Sequence, residues 1–189
     1  MNMPINEPVT VERDCNAILI PAGVHITLRK GSVVFIMQAL GGNYTVNVNG
    51  NLAQVSARDA DALGFNAPDQ VSTRGDDTPE NDGAVNEDLL WAQMRTCYDP
   101  EIPINIVDLG LIYQCKVVPL DGDGDGNRIE VVMTLTAPGC GMGEFLAEDV
   151  RSKLAQVPNV TDVDVQLTFD PPWSQEMMSE AARLETGLF

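Results

Sequence analysis

Between Ala67 and Ala84 the chain carries one bulky aliphatic residue, Val71, among Pro68, Pro79, Gly75, Gly83 and the acids Asp69, Asp76, Asp77, Glu80 and Asp82. A stretch that buries so little cannot offset the conformational entropy lost on ordering, so residues 67–84 read as an acidic flexible linker. Each flank must then build a core of its own. The 189 residues suffice for one to two domains, and a hydrophobic content of 44% makes a packed core feasible. Residues 1–66 and 85–189 are the expected domains.

The front half has the period of β-strands. Val24, Ile26 and Leu28 alternate with His25, Thr27 and Arg29, and Tyr44, Val46 and Val48 alternate with Thr45 and Asn47. Pro21-Ala22-Gly23, Lys30-Gly31, Gly41-Gly42-Asn43 and Asn49-Gly50 punctuate the strands. Asn49-Gly50 is the strongest hairpin signal, because a type I′ turn needs positive φ at both central positions. Five or six strands in so short a span imply a small all-β, barrel-like module. A short helix over 57–63 closes it and stops at Gly64.

After the linker the period switches back and forth. Asn86 is placed to cap a helix, with Glu87 and Asp88 suiting its N-terminus, and Leu90, Met94 and Cys97 share one helical face that ends before Pro100. Leu111, Tyr113, Cys115 and Val117 share a strand face. Ile129, Val131, Met133 and Leu135 return in period two, as an antiparallel hairpin would require. Leu146, Val150 and Leu154 mark a helix, and Val163, Val165, Leu167 and Phe169 a half-buried strand. Pro171-Pro172 ends that strand, Ser174 is placed to cap a last helix, and Met177, Ala181 and Leu184 line its inner face. The order α-β-β-α-β-α makes the strands on either side of the second helix parallel neighbours. The class is α+β: a three-stranded mixed sheet with helices on one face, preceded by the β module.

Composition then removes several functions. A net charge of −17 leaves no clustered Lys and Arg for nucleic-acid phosphates or anionic membrane surfaces. No run of about 18 apolar residues is present, and Met1–Pro8 lacks the basic start and apolar stretch of a signal peptide, so the cytoplasm is the expected compartment. Cys15, Cys97, Cys115 and Cys140 lie far apart with no CxxC, which suggests neither a disulfide framework nor a zinc knuckle.

Three places compete for chemistry. Asp121–Gly126 imitates the opening of a calcium loop, but an EF-hand needs a bidentate Glu at position 12, where this chain has Val132, and flanking helices where strands are expected. A solvated hairpin tip is the better reading. At Thr134–Gly143 a strand ends, the chain turns and a helix begins around Cys140. Flanking glycines let backbone approach whatever the sulfur touches, and a helix N-terminus lowers a thiol pKa, favouring the thiolate that ligates soft metals or attacks electrophiles. A small buried apolar group is the bland alternative for such a cysteine. Third, Asp99, Glu101 and Asp108 between the first helix and first strand are hard oxygen donors for iron, or caps for backbone groups in a proline-constrained loop.

The other residue types narrow the field. Cys97 and Cys115 sit on apolar faces and read as core, and Cys15 reads as structural. His25, the single histidine, lies in the other domain and on a polar strand face, which argues against a Cys–His thiol hydrolase and against histidine-rich zinc sites.

Asp99-Pro-Glu101, Asn105–Ile112, Met133–Cys140 and Asp170-Pro-Pro-Trp173, in that order over about residues 85–189, resemble a small iron–sulfur assembly domain family. It includes the phenylacetate-pathway protein PaaD and the eukaryotic cytosolic iron–sulfur targeting adaptor. The front half, with Ile20–Gly23, Gln38–Gly42, Tyr44–Val46 and Asp59–Gly64, resembles the N-terminal extension of the family's long bacterial type. The resemblance implies an auxiliary factor in iron–sulfur protein maturation, not an enzyme. It implies iron or a transient iron–sulfur cluster on Cys140, with Asp99, Glu101 and Asp108 as acidic candidate ligands. Implied partners are iron–sulfur assembly proteins and apo client proteins, with a homodimer as one way to complete the metal shell, and neither nucleic acid nor membrane. Many relatives have proline after the cysteine; Gly141 here loosens the turn. A metal-free adaptor and a thiol-based redox enzyme are the alternative roles.

Overall fold

The computed structural model describes residues 7–65, 83–120 and 126–187. The calcium-like tip Asp121–Asp125 and nearly all of the acidic stretch after Phe65 lie outside the described residues. The chain separates into two compact units, Met1–Asp77 and Thr78–Phe189.

The first unit is a six-stranded antiparallel sheet: β1 (Pro8–Thr10), β2 (Cys15–Ile20), β3 (Val24–Leu28), β4 (Val33–Leu40), β5 (Asn43–Val48) and β6 (Asn51–Val55), in the order β1-β4-β5-β6-β2-β3. Asn49 and Gly50 take φ of 52° and 85°, the turn geometry their dipeptide predicts, and set the register Val48↔Asn51. The closing segment Ala57–Leu63 is a 3-10 helix ending at Gly64 in the left-handed region. Val11, Val34, Ile36, Tyr44, Val46, Val55 and Leu63 form the core. The Arg13 guanidinium donates to both Asp59 and Asp61, tying the β1–β2 link to the 3-10 helix.

The second unit runs α1 (Glu87–Met94), β7 (Ile112–Pro119), β8 (Asn127–Met133), α2 (Gly143–Leu154), β9 (Val160–Leu167), a 3-10 turn (Gln175–Met177) and α3 (Glu180–Thr186). Its sheet order is β7-β8-β9, with β7 and β8 antiparallel and β8 and β9 parallel. Asn86 Oδ1 accepts the Asp88 and Leu89 N–H groups, and Leu90, Met94 and Cys97 are buried together with Leu146, Val150 and Leu154 of α2. Lys153 Nζ, on α2, donates to Thr96 O at 2.7 Å and Asp149 Oδ2 at 2.9 Å, so one ammonium holds α2 to the frayed end of α1.

Three local readings need correction. A bulge between Ile112 and Gln114 makes Tyr113 the extra residue of β7, so Ile112, Cys115 and Val117 pack on the core. Tyr113 instead sends its hydroxyl to Pro171 O at 2.8 Å. The last helix begins after Ser179, not Ser174, and buries Met178 and Ala182, leaving Leu184 exposed. The 3-10 turn takes up the intervening residues, and the Ser179 N–H bond to Asp108 O at 2.8 Å fixes where the helix starts. Finally, β9 buries Val163 and Val165 but leaves Leu167 exposed, and the strand ends there with Phe169 exposed beyond it. No helix of the described residues is long and apolar enough to cross a membrane.

The C-terminal segment is strapped over the loop that enters β7. Trp173 Nε1 donates to Leu109 O at 2.8 Å, and Gly110, at φ +71°, lies against the Met177 carbonyl. A Cβ on residue 110 would collide with backbone and sit at an unfavourable φ. Gly110→Ala is therefore expected to destabilise the second unit by about 2 kcal/mol or more, read as a lower urea midpoint.

Candidate functional site

Because β8 and β9 are parallel, the chain leaves β8 at Met133, turns, and crosses back through α2. The turn is fastened at its base: Thr134 N–H donates to Leu111 O at 2.8 Å, and Thr168 N–H to Met133 O at 2.9 Å. Gly139 at φ +84° supplies the left-handed step, and Gly143 N–H reaches the Cys140 carbonyl at 3.3 Å. The Leu135 and Leu167 side chains close over Gly143: a Cβ there would lie 2.7 Å from Leu135 Cδ1 and 3.3 Å from Leu167 Cδ1, so both methyls would have to shift. The glycines around Cys140 thus shape the turn and seat the helix.

Cys140 is half-buried, and the Met142 N–H is oriented so as to favour a negative charge on its sulfur. No side chain among the described residues caps α2 at Met142. The expectation of a lowered thiol pKa is nevertheless overturned. Burial pushes the Cys140 thiol up, the Met142 N–H only partly opposes this, and the negative charges of Glu101 and Asp99 push it further up. In the metal-free protein the sulfur is held toward its protonated form.

Two of the three candidate acids, Glu101 and Asp99, thus bear on the sulfur through their charge. Asp99 is buried, and its Oδ1 accepts the N–H groups of Glu101 and Ile102, each at 2.9 Å. It shapes the proline-rich loop, and burial holds its carboxyl above the usual range. Glu101 is exposed at the loop's crest. Asp108 is turned elsewhere: its carboxylate accepts from Asn105 Nδ2 at 2.6 Å within the next turn, and its charge has no part in the Cys140 shift. Among the described residues no group of three or more His, Cys, Asp or Glu is placed to hold a metal ion. The arrangement offers one sulfur with carboxylates nearby.

The remaining cysteines are poor competitors. Cys15 and Cys97 are buried, and burial drives the Cys97 thiol far up. Cys115 is half-buried, with its pKa pushed up to about 11 by burial and by the charge of Glu87. Sequence reasoning passed over Thr134, whose side chain is fully buried with an unpartnered Oγ1. A threonine at a strand end carries no sequence signal of that kind. Since an orphaned buried hydroxyl costs free energy, Thr134→Val is expected to leave stability equal or raise it by up to about 1 kcal/mol in denaturant unfolding.

Comparison with known proteins gives a consistent picture. The family described as iron–sulfur cluster assembly protein matches residues 87–167. The "Fe-S protein maturation auxiliary factor" of Porphyromonas gingivalis is 46% identical over 107 residues, covering 57% of this chain and 96% of the relative. The "Fe-S protein maturation auxiliary factor SufT" of Staphylococcus aureus is 39% identical over 90 residues, covering 48% of this chain and 96% of the relative. A solved DUF59 domain of unknown function from Bacillus anthracis is 35% identical with a TM-score of 0.47, covering 55% of this chain and 92% of that one.

The pKa reading is testable on the intact protein. Alkylation of Cys140, followed peptide by peptide, should rise with pH along a curve whose midpoint lies above that of a free cysteine. Glu101→Gln should move the midpoint down, because it removes a negative charge that opposes the thiolate.

Proposed function

The chain belongs to the iron–sulfur cluster assembly protein family, and from that premise we propose that it serves iron–sulfur protein maturation as an auxiliary factor, with Cys140 as a transient ligand for iron or a nascent cluster. The observation that carries this is the half-buried Cys140 sulfur at the strand-to-helix turn, on which the charges of Glu101 and Asp99 bear.

The chemistry follows from that setting. A ferrous ion arriving at the thiol displaces its proton, so that an S–H bond is exchanged for an S–Fe bond and one proton is released. The bound cation turns the neighbouring carboxylates from opponents of the sulfur's negative charge into supporters of the metal's positive charge. Because the empty site prefers the proton, the metal is held less tightly than by a preformed thiolate, which suits a cargo that must leave again. One sulfur does not complete a four-ligand shell. A partner protein, a small thiol or the Cys140 of a second copy supplies the rest, the partners being assembly proteins and apo clients. The acidic loop contributes Glu101 and Asp99 as charge; Asp108 is kept as a structural turn residue. The division into a β module, an acidic linker and an assembly-type domain is part of the proposal, with the compartment taken as the cytoplasm.

A metal-free adaptor is the second reading, favoured by the lack of a three-ligand cluster among the described residues. A thiol redox enzyme is disfavoured by a cysteine whose surroundings oppose the reactive thiolate. Anaerobic reconstitution with ferrous iron and sulfide separates the two remaining readings. The wild-type protein is expected to retain iron and visible sulfur-to-iron absorption, and Cys140→Ser to lose most of both. Equal iron content and equal spectra in the two proteins would remove Cys140 as a ligand and leave the adaptor.

A further inference from the structure

The buried side of β9 continues past its cover. Val163 and Val165 are 7% and 9% exposed beneath the helical layer, whereas Leu167 and Phe169, next in the same alternation, are 37% and 45% exposed. The helix ends where the cover ends: α2 starts at Gly143, and a Cβ there would already touch Leu167. An apolar surface is thus left bare beside the Cys140 turn.

The charges at this end of the unit have one sign. Glu101 couples to Cys140, Glu144 opens α2, Asp170 follows Phe169, and all three are exposed. Arg183 lies in the last turn of α3, and the cations of the sheet and of α1 and α2 are placed away from this end. Arg151 and Lys153 occupy the last turn of α2, Arg128 pairs with Asp162 near the opposite end of the sheet, Lys116 lies mid-strand on β7, and Arg95 follows α1.

We propose that Leu167 and Phe169, rimmed by Glu101, Glu144 and Asp170, dock a cationic protein segment carrying apolar anchors, so that a client's basic, hydrophobic stretch is seated next to Cys140. An aromatic side chain in an apolar step inside a charged rim is the usual anatomy of a binding hot spot, and the uniform acidity selects the sign of the partner. A second copy fits this face poorly, because two-fold contact would set acidic rims against each other. The inference rests on the maturation reading for the identity of the partner as a client; the surface itself does not depend on metal.

The test uses the iron-free full-length protein, isotopically labelled, and three synthetic peptides of equal length: one of Lys, Leu and Phe, one with Glu replacing Lys, and one of Lys and Ser. The first peptide is expected to shift amide resonances of residues 140–144 and 167–170 saturably, and the other two to leave them in place. Affinity should fall at least about tenfold in Leu167→Ser/Phe169→Ser. It should also fall in Glu101→Gln/Glu144→Gln/Asp170→Asn, which leaves the apolar surface intact and guards against a folding artefact. Equal shifts with the Lys-Ser peptide, shifts spread over the whole acidic surface, or a doubled mass without peptide that Phe169→Ser abolishes would each overturn the proposal. Peptide binding is read without metal, so its failure leaves iron retention by Cys140 untouched, and loss of the iron result leaves the docking surface standing.

Discussion

Two parallel strands cannot be joined by a tight turn; the chain must leave the sheet and return through a crossover. In this protein the parallel pairing of β8 with β9 forces that crossover to be α2, and the end of β8 and the start of α2 meet at Cys140. The position of the sulfur is therefore a consequence of sheet topology. The same topology starts the helix against Leu135 and Leu167, whose side chains close over Gly143. The strap through Trp173, Met177 and Ser179 closes over the 108–110 loop, from which Leu111 accepts the bond that anchors Thr134.

Electrostatics at the sulfur is a contest that the simple helix-terminus argument decides wrongly. A donor from the Met142 N–H favours the thiolate, yet removing the sulfur from water disfavours it by more, and Glu101 and Asp99 act in the same direction as burial. The outcome is a cysteine ill suited to act as a nucleophile by itself. Asp99 illustrates the economy of the loop: its Oδ1 fixes two backbone donors while its charge is felt at Cys140, so one carboxylate shapes the loop and sets the potential.

Much of this was legible from residue order. Asn49-Gly50, Asn86, the Leu90–Met94–Cys97 face and the Leu146–Val150–Leu154 face carry local signals strong enough that packing had only to agree with them. What stayed hidden is non-local. The Tyr113 bulge follows from a partner strand and from a carbonyl at Pro171 far along the chain, and the start of α3 follows from a bond between Ser179 and Asp108. The sign of the Cys140 shift depends on burial and on two acids about forty residues earlier, distances that spacing alone does not encode. Leu167 and Phe169 have the alternation of a buried face; only the point where α2 begins leaves them bare.

The capping pattern of the second unit joins these threads. α1 and α3 begin with side chains that accept their free N–H groups, Asn86 and Ser179. α2, the longest helix among the described residues, begins at Met142 with no such cap. A capping Ser, Thr, Asp or Asn is worth about 1 kcal/mol, and it would have been compatible with the helix that follows. Without it, the Gly143 N–H turns back to the Cys140 carbonyl, beside the uncovered apolar edge at Leu167. The stability forgone at this helix end is thus forgone at the turn that carries Cys140.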